Sequence, residues 1–187
     1  RIAKRRFLAL RDLVIAVAAS GRTPYPIAVA EAARAKGAKV VAIANNPGAP
    51  IFDRADVAIT LATPPEIVAG STRMGAGTAQ KAALNMISTL AGIRLGQVHD
   101  GRMVGLVADN AKLKVRAEGT VAEIAGVSSD EAAAALTAAD GAVKPAILIA
   151  RGAGATEAAS LLAAHDGILR AALAQWEASS RTSSGDK

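Results

Sequence analysis

The run Leu13-Val14-Ile15-Ala16-Val17-Ala18 is apolar at every position and too short for a helix, the pattern of a strand buried on both faces of a parallel sheet. Pro26 to Lys36 then carries helical spacing and closes at Gly37, a residue suited to the left-handed position that ends a helix. Lys39-Val40-Val41-Ala42-Ile43-Ala44 is a second strand, stopped by Asn45-Asn46-Pro47-Gly48. Together these predict a strand, helix, strand unit with a right-handed crossover. Ile51 to Ala55 has room for one helical turn, and Asp56 to Leu61 supplies a third strand ended before Pro64-Pro65. From Gly75 to Arg94, Ala79, Ala83, Met86, Ile87, Leu90 and Ile93 recur every three or four residues, which predicts a long helix. The fold class is therefore α/β, a parallel sheet flanked by helices.

Beyond Asp100 the strand pattern fades. Asn110 to Ala125 reads as a helix, Ser128 as the N-cap of a helix with Asp130 and Glu131 in its first turn, and Lys144 to Arg151 as a further helix. Thr156 to Ala164 is the next, with Thr156 as its expected cap. This region predicts a small helical bundle, with Ala132, Leu136, Val143, Ile147, Leu148, Leu161, Leu162, Ile168 and Leu169 expected to form a core of their own or to pack on the sheet domain. Residues 177–187, rich in serine, are expected to be disordered.

Composition narrows the chemistry. The 187 residues are 51% hydrophobic but 2% aromatic, so the core is built from Ala, Val, Leu and Ile. Cysteine is absent and the two histidines, His99 and His165, lie far apart, which excludes thiolate chemistry and leaves no expected metal site. No apolar run approaches the ~20 residues of a membrane-spanning helix, so a soluble cytoplasmic protein without a membrane partner is expected. The net charge of +6 is dispersed, and with few aromatics to stack on bases no nucleic-acid partner is expected.

The chemistry concentrates where strands end. In open α/β sheets, ligands bind beyond the carboxyl ends of the strands. Ser20-Gly21-Arg22-Thr23 follows the first strand and precedes a helix, where unpaired N–H groups and the helix dipole favour an anion. Two readings fit: a phosphate site, or a plain helix cap by Ser20 and Thr23. Glu66, with Ser71-Thr72 five residues on, follows the third strand and again leads into a helix. Glu66 is either an acid/base group beside a second set of hydroxyl donors or an exposed loop carboxylate.

The segments AASGRTPY, PEIVAGSTRMGAGTAQK, LNMIST and IRLG, with the later AEIAGVSSDEAAAAL and DGAVKPAIL, resemble the C-terminal portion of the N-acetylmuramic acid 6-phosphate etherases, a sugar-isomerase (SIS) domain family, from about Leu13 to Leu173. The resemblance implies the second half of a SIS-type parallel sheet over residues 1–105 and a helical module over 106–176, of which about 117–176 is similar to a three-helix ubiquitin-associated module. It implies a phosphorylated amino sugar at Ser20, Gly21, Arg22, Thr23, Ser71 and Thr72, no cofactor, and a homodimer. The implied reaction releases lactate from the sugar by elimination and readdition of water. A non-catalytic phosphosugar-sensing module is the alternative. The glutamates to which the family's acid/base work is usually assigned belong to an earlier half, and nothing before Leu13 resembles it; the basic opening, residues 1–11, is similar only to the end of a preceding helix. The expectation is a fragment that is inactive alone, with Glu66 as its one catalytic candidate.

Overall fold

The structure is a computed structural model that describes residues 11–184. The expected helix end in the opening segment lies outside the described residues except for Arg11. Two compact units divide the chain between Ile87 and Ser88.

In the first unit, strands β1 (Leu13–Val17), β2 (Lys39–Ala44) and β3 (Val57–Thr60) form a parallel sheet in the order β1-β2-β3. Leu13 stands opposite Lys39, and Val41 opposite Val57. Helix α1 (Pro24–Ala35) links the first pair, and a 3-10 turn at Pro50–Arg54 links the second. The core gathers Ala16, Ala30, Ala33, Val40, Ala42, Ala44 and Ile51. Small alanines let the helix lie close to the sheet, so this core depends on fit as much as on buried area. The two buried faces expected of the first strand are not formed, since Ala16 alone is buried along β1. Among the described residues β1 and β3 each have a strand neighbour on one side only, and Leu13 and Val57 are exposed. The start of β3 is tied to β2 by Asp56, whose carboxylate accepts the Val40 N–H at 2.8 Å and the Lys39 ammonium at 3.2 Å.

Helix α2 (Gly75–Arg94) runs through the unit boundary. Its apolar spacing is helical as expected, yet only Ala76 and Ala83 on it are buried, whereas Met86, Leu90 and Ile93 are exposed.

The second unit holds a feature that the sequence reading missed: a hairpin of β4 (Val98–His99) and β5 (Arg102–Met103). Asp100 and Gly101 turn it with φ of 44° and 76°, the geometry for which Asp-Gly is suited. Five helices follow: α3 (Ala111–Ala125), α4 (Ser129–Ala138), α5 (Val143–Ala150), α6 (Ala155–Ala164) and α7 (Leu169–Ser184). Ser128 caps α4 as expected: Glu131 N–H donates to its Oγ at 3.3 Å, and the Glu131 carboxylate accepts the Ser128 N–H at 2.8 Å. Ala132, Leu136, Val143, Ile147, Leu148, Leu161 and Leu169 share one core, with Leu162 packed against it.

Two expectations are corrected here. Thr156 does not cap α6; the helix begins at Ala155 with Gly154 before it, and Glu157 accepts the Gly154 N–H at 3.4 Å. The tail is helical to Ser184 rather than disordered from 177. Glu177 pairs with Arg151 at 3.1 Å, and the Ser179 and Ser180 hydroxyls donate back to the carbonyls of Gln175 and Trp176.

Candidate functional site

The first sheet unit builds a cleft from its strand ends. After β1 the chain turns sharply: Gly21 N–H donates to Ala18 C=O at 3.1 Å, while the Asn45 N–H donates to Ala19 C=O at 2.9 Å and holds the turn against the end of β2. Gly21 is buried at φ 65°, and a side chain there would run into Ala49, with Ala44 and Ile51 also at close quarters. The turn therefore needs glycine on two counts. It leaves Ser20 half-buried, its Oγ accepting the Arg22 N–H at 3.3 Å.

The capping reading of this loop fails at Thr23. Thr23 occupies the N-cap position of α1 with extended backbone angles, but its side chain makes no capping hydrogen bond. Prolines at 24 and 26 also remove two N–H groups from the first turn. An anion near Ser20 would thus rely on hydroxyls more than on the α1 backbone.

The third strand end supplies the opposite wall. Glu66 turns back toward the start of α2, and its Oε1 accepts the Ala76 N–H at 3.2 Å. A carboxylate at that point meets the positive end of the helix dipole. Ser71 follows in a turn closed by its own N–H on Val68 C=O at 3.0 Å, and Gly77 N–H donates to Thr72 C=O at 2.8 Å.

The resulting cleft has a volume of about 500 Å³. Ser20, Glu66, Ser71 and Thr72 all line it, together with Asn45, Asn46 and Thr63. Gly21, Arg22 and Thr23 do not line it, and Arg22 and Thr23 are exposed. Asn45 and Asn46 were read from the sequence only as a strand stop. Their signal was their place at the end of β2, between the two hydroxyl loops.

A second cleft of about 500 Å³ lies within the helical unit, lined by His99, Asp100, Arg102, Glu123, Arg151 and Arg170 among others. Its guanidinium groups are matched one for one: Arg102 with Glu123, Arg151 with Glu177 and Arg170 with Asp100. Such pairing favours a clasp between hairpin and helices over an anion site. His99, 8% exposed, sits 3.4 Å from the Asp100 carboxylate. Burial pushes its pKa below the ordinary value, and Asp100 opposes the shift only in part.

That shift has a definite sign. The unfolded chain takes up a proton on His99 near the ordinary pKa of about 6.5, which the folded chain resists, so the contribution is complete above that pH and is lost as pH falls toward the folded pKa. Urea midpoints measured from pH 7.5 down to 5 are expected to fall more steeply for the wild type than for His99→Gln. Parallel curves would show that His99 carries no such linkage.

Among the described residues, no group of three His, Cys, Asp or Glu is placed to hold a metal ion, and no helix is long and apolar enough to cross a membrane.

Known proteins decide the family. A SIS domain matches residues 8–93. An N-acetylmuramic acid 6-phosphate etherase of Deinococcus radiodurans is 46% identical over 174 residues, covering 92% of this chain and 57% of the relative. The etherase of Symbiobacterium thermophilum is 51% identical over 73% of this chain and 46% of its own length, and that of Vibrio cholerae 49% over 80% and 50%. Over those residues the chain belongs with the SIS domains. It matches the C-terminal portion of these etherases and spans about half the length of the curated relatives it matches. The three-stranded parallel sheet flanked by helices agrees with a SIS-type fold, and the cleft at its strand ends lies within the SIS match.

Proposed function

We propose that the cleft binds the phosphate of a phosphorylated amino sugar through Ser20, Ser71 and Thr72, and that the chain serves an N-acetylmuramic acid 6-phosphate etherase. The observation that carries this reading is the convergence on one cleft of two hydroxyl loops from separate strand ends, in a chain 46% to 51% identical to proteins bearing that name. The reaction removes a proton beside the carbonyl of the open-chain sugar, expels the lactyl ether oxygen and adds water back, yielding N-acetylglucosamine 6-phosphate and D-lactate. Proton removal suits a carboxylate within hydrogen-bond reach, and Glu66 is the carboxylate that lines this cleft. The relatives are named as etherases, which favours this reading over a sensing module without turnover. A cytoplasmic setting fits a soluble sugar phosphate. Self-association into a homodimer is supported by the one-sided pairing of β1 and β3 and by the exposed Met86, Leu90 and Ile93.

Binding to the native state alone raises stability by mass action, by about 2.7 kcal/mol when the ligand stands at 100 times its Kd. N-acetylglucosamine 6-phosphate is therefore expected to raise the melting temperature by several degrees, and N-acetylglucosamine to leave it unchanged. Ser20→Ala is expected to remove most of the rise. Equal protection by the phosphorylated and free sugars would rule out the phosphate assignment.

A further inference from the structure

Asn45 directly follows β2 and lines the cleft with its side chain only 5% exposed. Its Nδ2 donates to Leu61 C=O at 3.0 Å, just past β3, and to Ala76 C=O at 3.4 Å, in the first turn of α2. Its Oδ1 accepts the Gln80 Nε2–H at 2.7 Å from the next turn of α2. Both ends of one buried amide are thus committed, and they join two strand ends to a helix start. Gln80 stands one turn beyond Ala76 and presents its donor on the same side of the helix. With two carbonyls on one side and a donor on the other, the amide has one orientation that satisfies every partner.

The chain of bonds continues into the cleft. The peptide unit that follows Gly75 offers the Ala76 N–H to Glu66 Oε1 at 3.2 Å, while the Ala76 carbonyl faces Asn45. Among the described residues that N–H is the hydrogen-bond donor that holds the Glu66 carboxylate. The neighbouring loop gives little other support, since Ile67, Val68, Ala69 and Gly70 are all exposed. Where α2 begins therefore decides where Glu66 sits, and where Ser71 and Thr72 are delivered.

We propose that Asn45 and Gln80 are positioning residues for the phosphosugar cleft: together they lock the first turn of α2 against β2 and β3, and through Ala76 they fix the Glu66 carboxylate and the Ser71-Thr72 donors. The ligand side of this proposal rests on the phosphosugar reading above. Packing alone would be served by an apolar pair at these positions. A buried amide network instead gives a single geometry at the cost of needing every partner, which suits a site whose donors must be held in place.

The test uses Gln80→Leu, which removes the donor to Asn45 while leaving Asn45, Glu66 and the hydroxyls in the chain. Three readings are taken on the 187-residue protein: unliganded melting, affinity for N-acetylglucosamine 6-phosphate, and the pH response of the Ala76 amide in nuclear magnetic resonance, with Glu66→Gln identifying the part due to Glu66. In the wild type the Ala76 amide is expected to show a pH response that Glu66→Gln removes. In Gln80→Leu that response is expected to shrink, and the affinity to fall roughly tenfold among molecules that remain folded. A purely structural role would lower melting but leave the amide response and the affinity as they were, which overturns the proposal. If the wild type binds no sugar phosphate, the phosphosugar reading fails by itself, and the Ala76 response alone decides whether Gln80 positions Glu66. Should Gln80→Leu not fold, Gln80→Ala, well suited to a helix, carries the same readings.

Discussion

Gly21→Ala is expected to destabilise the sheet unit by roughly 2–5 kcal/mol, combining the cost of a left-handed backbone for an L-residue with overpacking against a filled core. At φ 65° the new methyl group would collide with Ala49 and press on Ala44 and Ile51 at 3.2 Å, and Ile51 is itself held by an N–H donated to Gly21 C=O at 3.1 Å. The loop cannot move aside without giving up that bond and the one from Asn45 to Ala19. Gly48 provides the comparison. Its φ is 66°, but nothing lies within 4 Å of a side chain placed there. Gly48→Ala should therefore cost only the backbone part, about 1–2 kcal/mol. Urea unfolding of the two variants checks this directly. Equal losses would mean that the close approach at Gly21 carries no weight, and that the turn presenting Ser20 is less tightly built than the distances imply.

The second large expectation concerns turnover. These 187 residues by themselves are expected to release no lactate from N-acetylmuramic acid 6-phosphate. The Glu66 carboxylate is engaged at the start of α2, and among the described residues no second carboxylate lines the cleft to share the acid and base roles. The cleft is also formed from the ends of only the three strands that pair in this sheet among the described residues, so water would weaken each electrostatic contribution to the transition state. Lactate assayed over hours with purified protein should stay at the level of the no-enzyme control. Release at an enzyme's rate, abolished by Glu66→Gln, would make Glu66 the principal catalytic group and reverse this part of the account.

Local patterns carried most of the first unit. Three apolar runs became β1, β2 and β3, the Gly75 to Arg94 periodicity became α2, and Ser128 with Glu131 formed the cap that their spacing implied. Burial was less legible. A run such as Leu13 to Val17 shows that a strand can be buried, whereas what packs on its two faces decides whether it is, and along β1 Ala16 alone is buried. The Ser20, Glu66, Ser71 and Thr72 group was legible because all four stand just past strand ends of a parallel sheet, and that topology brings them together. Asn45 and Gln80 were not, since a hydrogen bond between residues so far apart in sequence leaves no local trace.

The helical unit contains a regularity that reading element by element overlooks. The hairpins α4–α5 and α6–α7 follow one plan. Glu131 and Glu157 each accept an N–H at the helix start, Asp140-Gly141 and Asp166-Gly167 each turn with positive φ at both residues, and Val143 and Ala146 match the buried Leu169 and Ala172. The cations that follow the turns are also matched: Lys144 donates to the Gly167 carbonyl at 2.7 Å, and Arg170 to the Asp100 carboxylate of the β hairpin. Each basic side chain thus ties its own hairpin to another Asp-Gly turn. The serine-rich end of α7 was misjudged because composition reports the absence of a core, whereas helix continuity there rests on backbone bonds and on the Arg151–Glu177 pair.

The central claim is that a sugar phosphate enters the cleft at the strand ends of the sheet unit. A crystal structure of the chain soaked with N-acetylglucosamine 6-phosphate, collected alongside crystals of Ser20→Ala treated in the same way, tests it most directly. The account predicts phosphate density within hydrogen-bond distance of the Ser20, Ser71 and Thr72 hydroxyls, lost or weakened in the variant. Phosphate found instead among Arg102, Arg151 and Arg170 of the helical unit, with the sheet cleft empty in both crystals, would contradict it.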